Sequence, residues 1–192
     1  MLTTDIYNIA SQLSDLYEIK VQTRYESYTE NSLSELERGN QLVQQIRVAL
    51  ERISQTRYER TVHQCAMHEM FILSCAPMIY GQQVFERHRM EIEDFFGAQY
   101  LRGVMVTAPR RNGKSESIVY FIVALLVTMS KVAIVCYGAN DNATSALKVQ
   151  CEKILIHTFG VTKFKKNSKQ HIVLRGGNCE VHFFTPAGNG DR

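Results

Sequence analysis

The stretch Ala108-Pro109-Arg110-Arg111-Asn112-Gly113-Lys114-Ser115 is the most informative segment of the sequence, because it matches the phosphate-loop pattern GxxxxGK[ST] except at its first position. In that pattern, successive backbone N–H groups surround a phosphate, and the following helix presents its N-terminus to the anion. Ala108 replaces a glycine that mainly permits a tight turn, which makes it the most tolerable departure. The sequence therefore predicts a nucleotide-binding loop over residues 108–115.

Each position of the loop has an expected role. Gly113 is needed where a Cβ would block the backbone's approach, Lys114 reaches the β- and γ-phosphates, and the Ser115 hydroxyl binds Mg²⁺. Arg110 and Arg111 either stabilise charge during phosphoryl transfer or belong to a solvated surface loop. The candidate residues for binding ATP are Ala108, Pro109, Arg110, Arg111, Asn112, Gly113, Lys114 and Ser115, with Ser115 as the magnesium ligand.

The segments around the loop alternate between apolar strands and helices. Val104–Thr107 is expected to form a short buried strand, and a helix is expected from Lys114 to about Met129. Val132–Tyr137 is a second continuous apolar run, and a helix from about Asp141 to His157 follows it, with Asn140 or Asp141 as its N-cap. This order predicts an α/β fold, with a parallel sheet and helices on both of its faces.

The last part of the chain predicts a hairpin, because His171–Leu174 and Cys179–Phe184 flank the turn Gly176-Gly177. A basic segment, Lys163-Phe164-Lys165-Lys166, precedes it, with Lys169 nearby. Such a segment either touches a DNA backbone or is a solvated loop, and the sequence leaves both alternatives open.

The sequence of the first hundred residues predicts helices. Ile6 to Leu16 shows helical spacing, the polar tract Tyr25–Asn31 is a linker, and a longer helix is expected from the capping box Ser32-Leu33-Ser34-Glu35 to about Ile53. Gly39 interrupts the apolar stripe of that helix, which favours packing on the chain's own domain over a coiled coil with a partner. Two more helices are expected, the first near His68–Tyr80 and bent or ended around Pro77, the second from about Gln82 to Phe95.

Composition excludes several classes of protein. The chain has 192 residues, 45% of them hydrophobic and 21% charged, with a net charge of +3 that divides into −5 for residues 1–100 and +8 for residues 101–192. These values exclude a disordered or low-complexity chain, and the basic half hints at an anionic partner. No apolar run reaches the about 18 residues of a membrane span, and the N-terminus does not resemble a secretory signal. We therefore expect a soluble, intracellular protein with no membrane partner.

The five cysteines form no CxxC pair and are expected to be reduced core residues. His63, Cys65 and His68, with Cys75 beyond, have some of the residue types of a zinc site. A second clustered pair at a fixed spacing is missing. A partly buried helix face is the favoured interpretation of these residues.

The loop TAPRRNGKS, the strand KVAIVCY and the segment GANDNATSALKVQ together resemble the large terminase subunits, the DNA-packaging motors of tailed phages and herpesviruses. The tail from Pro186 to Arg192 is similar to the loop that leads into the Walker B strand of that family, and Ala76–Gly81 is more faintly similar to its helical lead-in. The resemblance covers roughly residues 70–192. It divides the chain into a helical N-terminal region, 1–69, and a partial P-loop ATPase domain, 70–192.

The resemblance implies an additional-strand P-loop ATPase that moves double-stranded DNA into a capsid. Lys114 and Ser115 would contact phosphate and Mg²⁺, Arg110 would be the catalytic loop arginine, and Gln82, Gln83 or Gln99 would read adenine. Implied partners are double-stranded DNA, other terminase subunits, the portal or procapsid, and further copies in a ring. The implied location is the host nucleus for a herpesvirus-like protein and the cytoplasm of a bacterial host for a phage protein.

The sequence departs from the family in one respect that bears on activity. No apolar run ends in Asp-Glu, as a Walker B strand requires, and the nuclease domain is also missing. We therefore expect a truncated ATPase domain, inactive alone, whose strands 104–107 and 132–137 lack their usual neighbours. The alternatives are a fragment of a P-loop helicase-like ATPase and a non-catalytic interaction module with a relic nucleotide site.

Overall fold

The computed structural model describes residues 34–107, 113–168, 170–174 and 178–185, which form an α/β unit. The expected first helix at Ile6–Leu16, the linker Tyr25–Asn31 and the tail from Pro186 lie outside these residues. The helices are α1 (Glu35–Thr56), α2 (Val62–Ser74), α3 (Ala76–Tyr80), α4 (Gln82–Arg87), α5 (Arg89–Phe96), α6 (Lys114–Thr128) and α7 (Asp141–His157). The strands are β1 (Lys131–Tyr137), β2 (Phe164–Ser168), β3 (His171–Leu174) and β4 (Asn178–Phe184).

Helix α6 lies at the centre of the molecule. Eight of its fifteen residues are buried, including Val119, Tyr120 and Leu126, because the helix is apolar on most of its circumference. Helices α1 and α2 pack on one side of it, and it also contacts α7, β1 and β4. The interior therefore consists of a helical layer, the central helix and a sheet.

The sheet has four strands in the order β1-β4-β3-β2. Strands β1 and β4 are parallel, with Val132 opposite Cys179 and Cys136 opposite Phe183. The other two pairs are antiparallel. The expectation of a parallel sheet is thus correct for one pair only and wrong for the sheet as a whole, because the short connections from β2 to β3 and from β3 to β4 permit antiparallel pairing alone.

Among the described residues, helices cover one face of the sheet, whereas the sequence predicts helices on both faces. Buried and exposed residues alternate along β1 and β4, and the buried set includes Val132, Cys179 and Val181. On the opposite face, Val135 is 53% exposed and Tyr137 is 71% exposed. We call this second face the open face.

The segment Val104–Thr107 is not a strand, which overturns another expectation. Met105 is 90% exposed, and none of the described strands pairs with the segment. An apolar run forms a strand only when a partner satisfies its N–H and C=O groups. The basic segment, by contrast, is not a loop: Phe164–Ser168 forms β2, with Lys165 and Lys166 exposed.

The helix boundaries follow local signals with small shifts. Helix α1 begins after Ser34 rather than Ser32, because Ser34 and Glu37 form the reciprocal capping box. Helix α2 begins at Val62, six residues earlier than expected, and ends at Ser74 with Cys75 as its C-cap, while Pro77 lies in the first turn of α3. The helix expected from Gln82 is two helices that divide at His88. Asn140 caps α7, as expected.

The glycine in the middle of α1 accommodates an aromatic ring. A Cβ on Gly39 would overlap the ring of Tyr80, and the Tyr80 hydroxyl donates to Asn40 Oδ1 at 2.7 Å. Gly39 thus lets α3 pack closely on α1. The expectation that α1 packs on the chain's own domain is confirmed by this contact and by its packing on α6.

We expect Gly39→Ala to lower the free energy of unfolding by about 1–3 kcal/mol, the typical cost of overpacking, despite the better helix propensity of alanine. Urea denaturation of the two proteins measures this change. In a Tyr80→Ala background the same substitution should no longer destabilise, because the ring that it meets is gone. An equal loss in both backgrounds would contradict the account of Gly39.

Candidate functional site: the start of helix α6

The end of the predicted phosphate loop lies at the start of α6. Gly113 is the N-cap residue with φ of 67° and ψ of 16°, and none of the described side chains caps the helix. Lys114 and Ser115 are the first two helical residues, and Ser115 is exposed. The N-terminus of a 15-residue helix thus follows directly from a left-handed glycine. The motif is expected to present such a helix start to the phosphate.

Two features of the structure require glycine at position 113. Its positive φ is strained for residues with a Cβ. A Cβ there would also lie 2.5 Å from Gln64 Nε2, which itself donates to the Gly113 carbonyl oxygen at 3.5 Å. The Gln64 side chain cannot easily move away, because its Oε1 accepts the Thr61 N–H in the capping box of α2. The neighbour at this glycine is therefore a side chain of α2.

A second contact with α2 holds the next turn of α6. The fully buried His68 has its Nε2 3.0 Å from the Ser117 carbonyl oxygen and its Nδ1 3.2 Å from Arg60 Nη1. A guanidinium group only donates, so Nδ1 must accept and Nε2–H must donate to Ser117. Ser117 Oγ in turn donates to the Gly113 carbonyl oxygen at 3.0 Å. Helix α2 thus positions the first turn of α6 at Gly113 and Ser117.

The His68 imidazole is neutral in this environment. Desolvation by burial is the main cause that lowers its pKa to about 4, and the charge of Arg60 acts in the same direction, while the bond to Ser117 opposes them. Arg60 is itself paired with Glu51 of α1 at 2.8 Å. A polar path therefore runs from α1 through Arg60 and His68 to the start of α6.

The remaining residues of the predicted loop, Ala108, Pro109, Arg110, Arg111 and Asn112, lie outside the described residues, and their roles stay predictions. Of the three glutamines considered for adenine, only Gln82 lines a described cavity. That cavity has a volume of about 450 Å³ and is lined also by Phe85, Arg89, Tyr100 and Arg102. Gln83 and Gln99 are exposed and are not among its lining residues.

The carboxyl ends of the two parallel strands meet at one edge of the sheet. The Gly138 N–H, just after β1, donates to the Phe184 carbonyl oxygen at 2.9 Å. Thr185 Oγ1 donates to Asp141 Oδ1 at 2.7 Å and lies 3.2 Å from Thr144 Oγ1. Ligands of α/β proteins often bind beyond this edge. Hydrogen bonds thus connect the segment that starts at Gly138 to the end of β4.

The structure does not gather the residues considered as a zinc site near His63. Both ring nitrogens of His68 are engaged with Arg60 and Ser117, and one face of α2 is buried through Met67, His68 and Ile72, as expected for a partly buried helix. Among the described residues, one other group of possible ligand side chains converges: His171, Glu180 and His182. Sequence reasoning missed this group, although the hairpin register and the alternation along Cys179–Phe184 place all three on one face.

Comparisons with known proteins give no assignment, because no family model, no curated protein and no solved structure matched the chain. In the part of the chain that the structure describes, no helix is long and apolar enough to cross a membrane. The functional argument therefore depends on the residues themselves.

We expect acid to weaken the fold through His68. The pKa of about 4 in the folded state lies below the usual 6.5, so the unfolded state binds the extra proton first as pH falls. The contribution of the neutral imidazole is complete above about pH 6.5 and is lost as the pH falls towards 4. The expected loss between pH 7 and pH 5 is about 2 kcal/mol in the free energy of unfolding, measured by urea denaturation.

The matched variant is His68→Gln, whose amide has both a donor and an acceptor but does not titrate in this range. Its stability should fall by about 2 kcal/mol less than that of the original protein over the same interval. Replacing the exposed His157 by Gln should leave the pH dependence unchanged. Parallel pH profiles for the original protein and His68→Gln would contradict the buried neutral imidazole.

Proposed function

We propose that this chain is the N-terminal part of a terminase large subunit, an ATP-driven motor that moves double-stranded DNA into a viral capsid. The observation that carries the proposal is the Gly113-Lys114-Ser115 sequence, with its glycine in the left-handed region at the start of α6. ATP would bind to residues 108–115, and Ser115 would hold Mg²⁺. The resemblance of the surrounding segments to terminases supplies the identity of the motor.

The N-terminal end of α6 is the feature that would attract a phosphate. The first N–H groups of a helix have no intrahelical partner, and the helix dipole adds a partial positive charge at the same place. Lys114 adds a full positive charge, and the exposed Ser115 carries the hydroxyl that a magnesium ion requires. The contacts from Gln64 and His68 hold this turn in place before nucleotide arrives, which lowers the entropic cost of binding.

The cavity beside Tyr100 supports Gln82 as the residue that reads the base. Phe85 and Tyr100 are in edge-to-face contact in the lining, with ring centroids 4.7 Å apart, and form an apolar wall beside Gln82. An amide such as that of Gln82 offers the donor and acceptor pair that recognises adenine. Arg102 lies in the same lining, six residues before the loop.

Hydrolysis is a separate question from binding. The sequence contains no apolar run that ends in Asp-Glu, the pair that would hold Mg²⁺ and orient the attacking water. We propose that this polypeptide binds nucleotide weakly and turns it over negligibly, and that Arg110 acts on the γ-phosphate only when a complete ATPase site is present. The same proposal includes the partners, which are double-stranded DNA, other terminase subunits, the portal or procapsid and further copies in a ring. It also includes the location in the host compartment.

We expect Mg²⁺ with ADP or ATP to raise the melting temperature of the chain, and Lys114→Ala to abolish that rise. At nucleotide concentrations ten times the dissociation constant, the expected stabilisation is about 1.4 kcal/mol, or roughly 4 °C, in a thermal-shift measurement. The control is Lys131→Ala, which removes an exposed lysine at the start of β1 and should keep the full rise.

Three results would contradict the proposal. Absence of a shift that requires both Mg²⁺ and Lys114 would favour the interaction module with a relic loop. Turnover well above background that disappears in Lys114→Ala would show that the site is complete in this polypeptide. Nucleotide-dependent binding to single strands but not to blunt duplex DNA would favour the helicase-like ATPase.

A role for β2 in DNA binding has its own test. Lys163, Lys165 and Lys166 are exposed on and beside this outer strand. If Lys165 and Lys166 each neutralise a phosphate, replacing both by alanine should reduce the slope of log binding constant against log salt by about 2. The control is Lys153→Ala on the exposed side of α7, which should leave the slope unchanged. An unchanged slope in the double variant would exclude β2 from the DNA contact.

A further inference from the structure

The open face of the sheet carries three side chains whose ligand atoms converge. His171 lies on β3 directly opposite His182 on β4, and Glu180 precedes His182 by two residues, so all three point to the same side of the sheet. Their ligand atoms all lie within 4.8 Å of one another. Each side chain is partly buried, and β4 is paired on both of its edges, which fixes the backbone beneath the group.

The distances match those of a transition-metal site. Glu180 Oε2 lies 3.1 Å from His171 Nε2 and 3.6 Å from His182 Nε2. In a tetrahedral zinc site with bonds of about 2.0–2.1 Å, neighbouring ligand atoms lie about 3.3 Å apart. Both nitrogen-to-oxygen distances are therefore close to the spacing of ligand atoms around one ion of this size.

The arrangement of the two imidazole nitrogens around one carboxylate oxygen also suits a bound cation. The two imidazole rings stack with centroids 3.8 Å apart, so that both present Nε2 to the same carboxylate oxygen. Without a metal, His171 Nε2–H donates to Glu180 Oε2, so that a proton lies between these two atoms. Three lone-pair atoms at this spacing repel one another unless protons or a cation lie between them.

We infer that His171, Glu180 and His182 form a binding site for a divalent transition metal, with Zn²⁺ as the best-fitting ion. Two imidazoles and one carboxylate suit Zn²⁺ and its neighbours, whereas Mg²⁺ and Ca²⁺ prefer all-oxygen sites. Three protein ligands leave a fourth position, and the open face gives that position access to water or to an external ligand. The Phe184 ring, parallel to His182 with centroids 5.9 Å apart, forms an apolar wall beside the site.

The test is a titration of the full, untagged chain with Co²⁺, which replaces Zn²⁺ and gives visible absorption bands. We expect one saturable site per chain with the spectrum of four- or five-coordinate Co²⁺, no near-ultraviolet band from a thiolate ligand, and loss of colour when Zn²⁺ is added. Absence of saturable binding would overturn the inference. A thiolate band would also overturn it, because it would place the metal on a cysteine such as Cys65.

Two variants locate the site. Glu180→Gln keeps an oxygen that accepts the His171 bond but removes the charge, and His182→Gln removes one nitrogen ligand. Each should weaken Co²⁺ binding by more than about 100-fold, beyond the usual cost of removing a residue that only supports a ligand. Far-ultraviolet circular dichroism without metal checks that the variants fold, and Glu180→Gln alone decides if His182→Gln does not.

The control is His157→Ala, which removes an exposed histidine at the end of α7 and should bind Co²⁺ as the original protein does. Binding that is equally strong in Glu180→Gln, His182→Gln and the original protein would show that the metal lies elsewhere. In that case the three side chains are held together by hydrogen bonds alone, with protons on both Nε2 atoms.

Discussion

The buried imidazole of His68 is the contact on which the position of the central helix depends. It joins Arg60 to the Ser117 carbonyl oxygen, and it lies one turn after Gln64, which reaches Gly113. A buried polar group must keep its partners, because leaving a donor or acceptor unpaired costs about 1–3 kcal/mol. The first turn of α6 is therefore held by the helical layer rather than by the sheet, and the geometry of the proposed nucleotide site depends on residues far upstream in the chain.

Capping residues, apolar spacing and turn glycines correctly predicted the helices and strands whose positions depend on nearby residues. Helix α7 begins after the cap at Asn140, and the hairpin of β3 and β4 follows from its apolar runs and central glycines. The failures come from pairing, which no local pattern reveals. Val104–Thr107 is apolar but has no partner among the described strands, whereas the lysine-rich Phe164–Ser168 becomes a strand because β3 offers it an edge. The third difference is that, among the described residues, helices cover one face of the sheet and not both.

The position of the candidate site in the fold was predictable where its residues are neighbours in the sequence. The motif placed Gly113, Lys114 and Ser115 at a helix start, and the structure has them there. The sequence predicted that His68 lies on a partly buried helix face, but not its bond to Ser117, because that partner is 49 positions away. The group on the open face depends on which residue of β3 is opposite His182, and only the register supplies that information.

The outer edge of β1 has a consequence for how this molecule meets others. The strand pairs with β4 along one side, and no described strand pairs with its other side. Proteins usually protect such an edge with charges, prolines or bulges, yet Lys131, at the very start, is the sole charged residue of the strand KVAIVCY. Backbone N–H and C=O groups along a strand edge without a partner strand can template sheet growth, from another segment or from a neighbouring molecule. How this molecule associates thus depends on what lies along the outer side of one seven-residue strand.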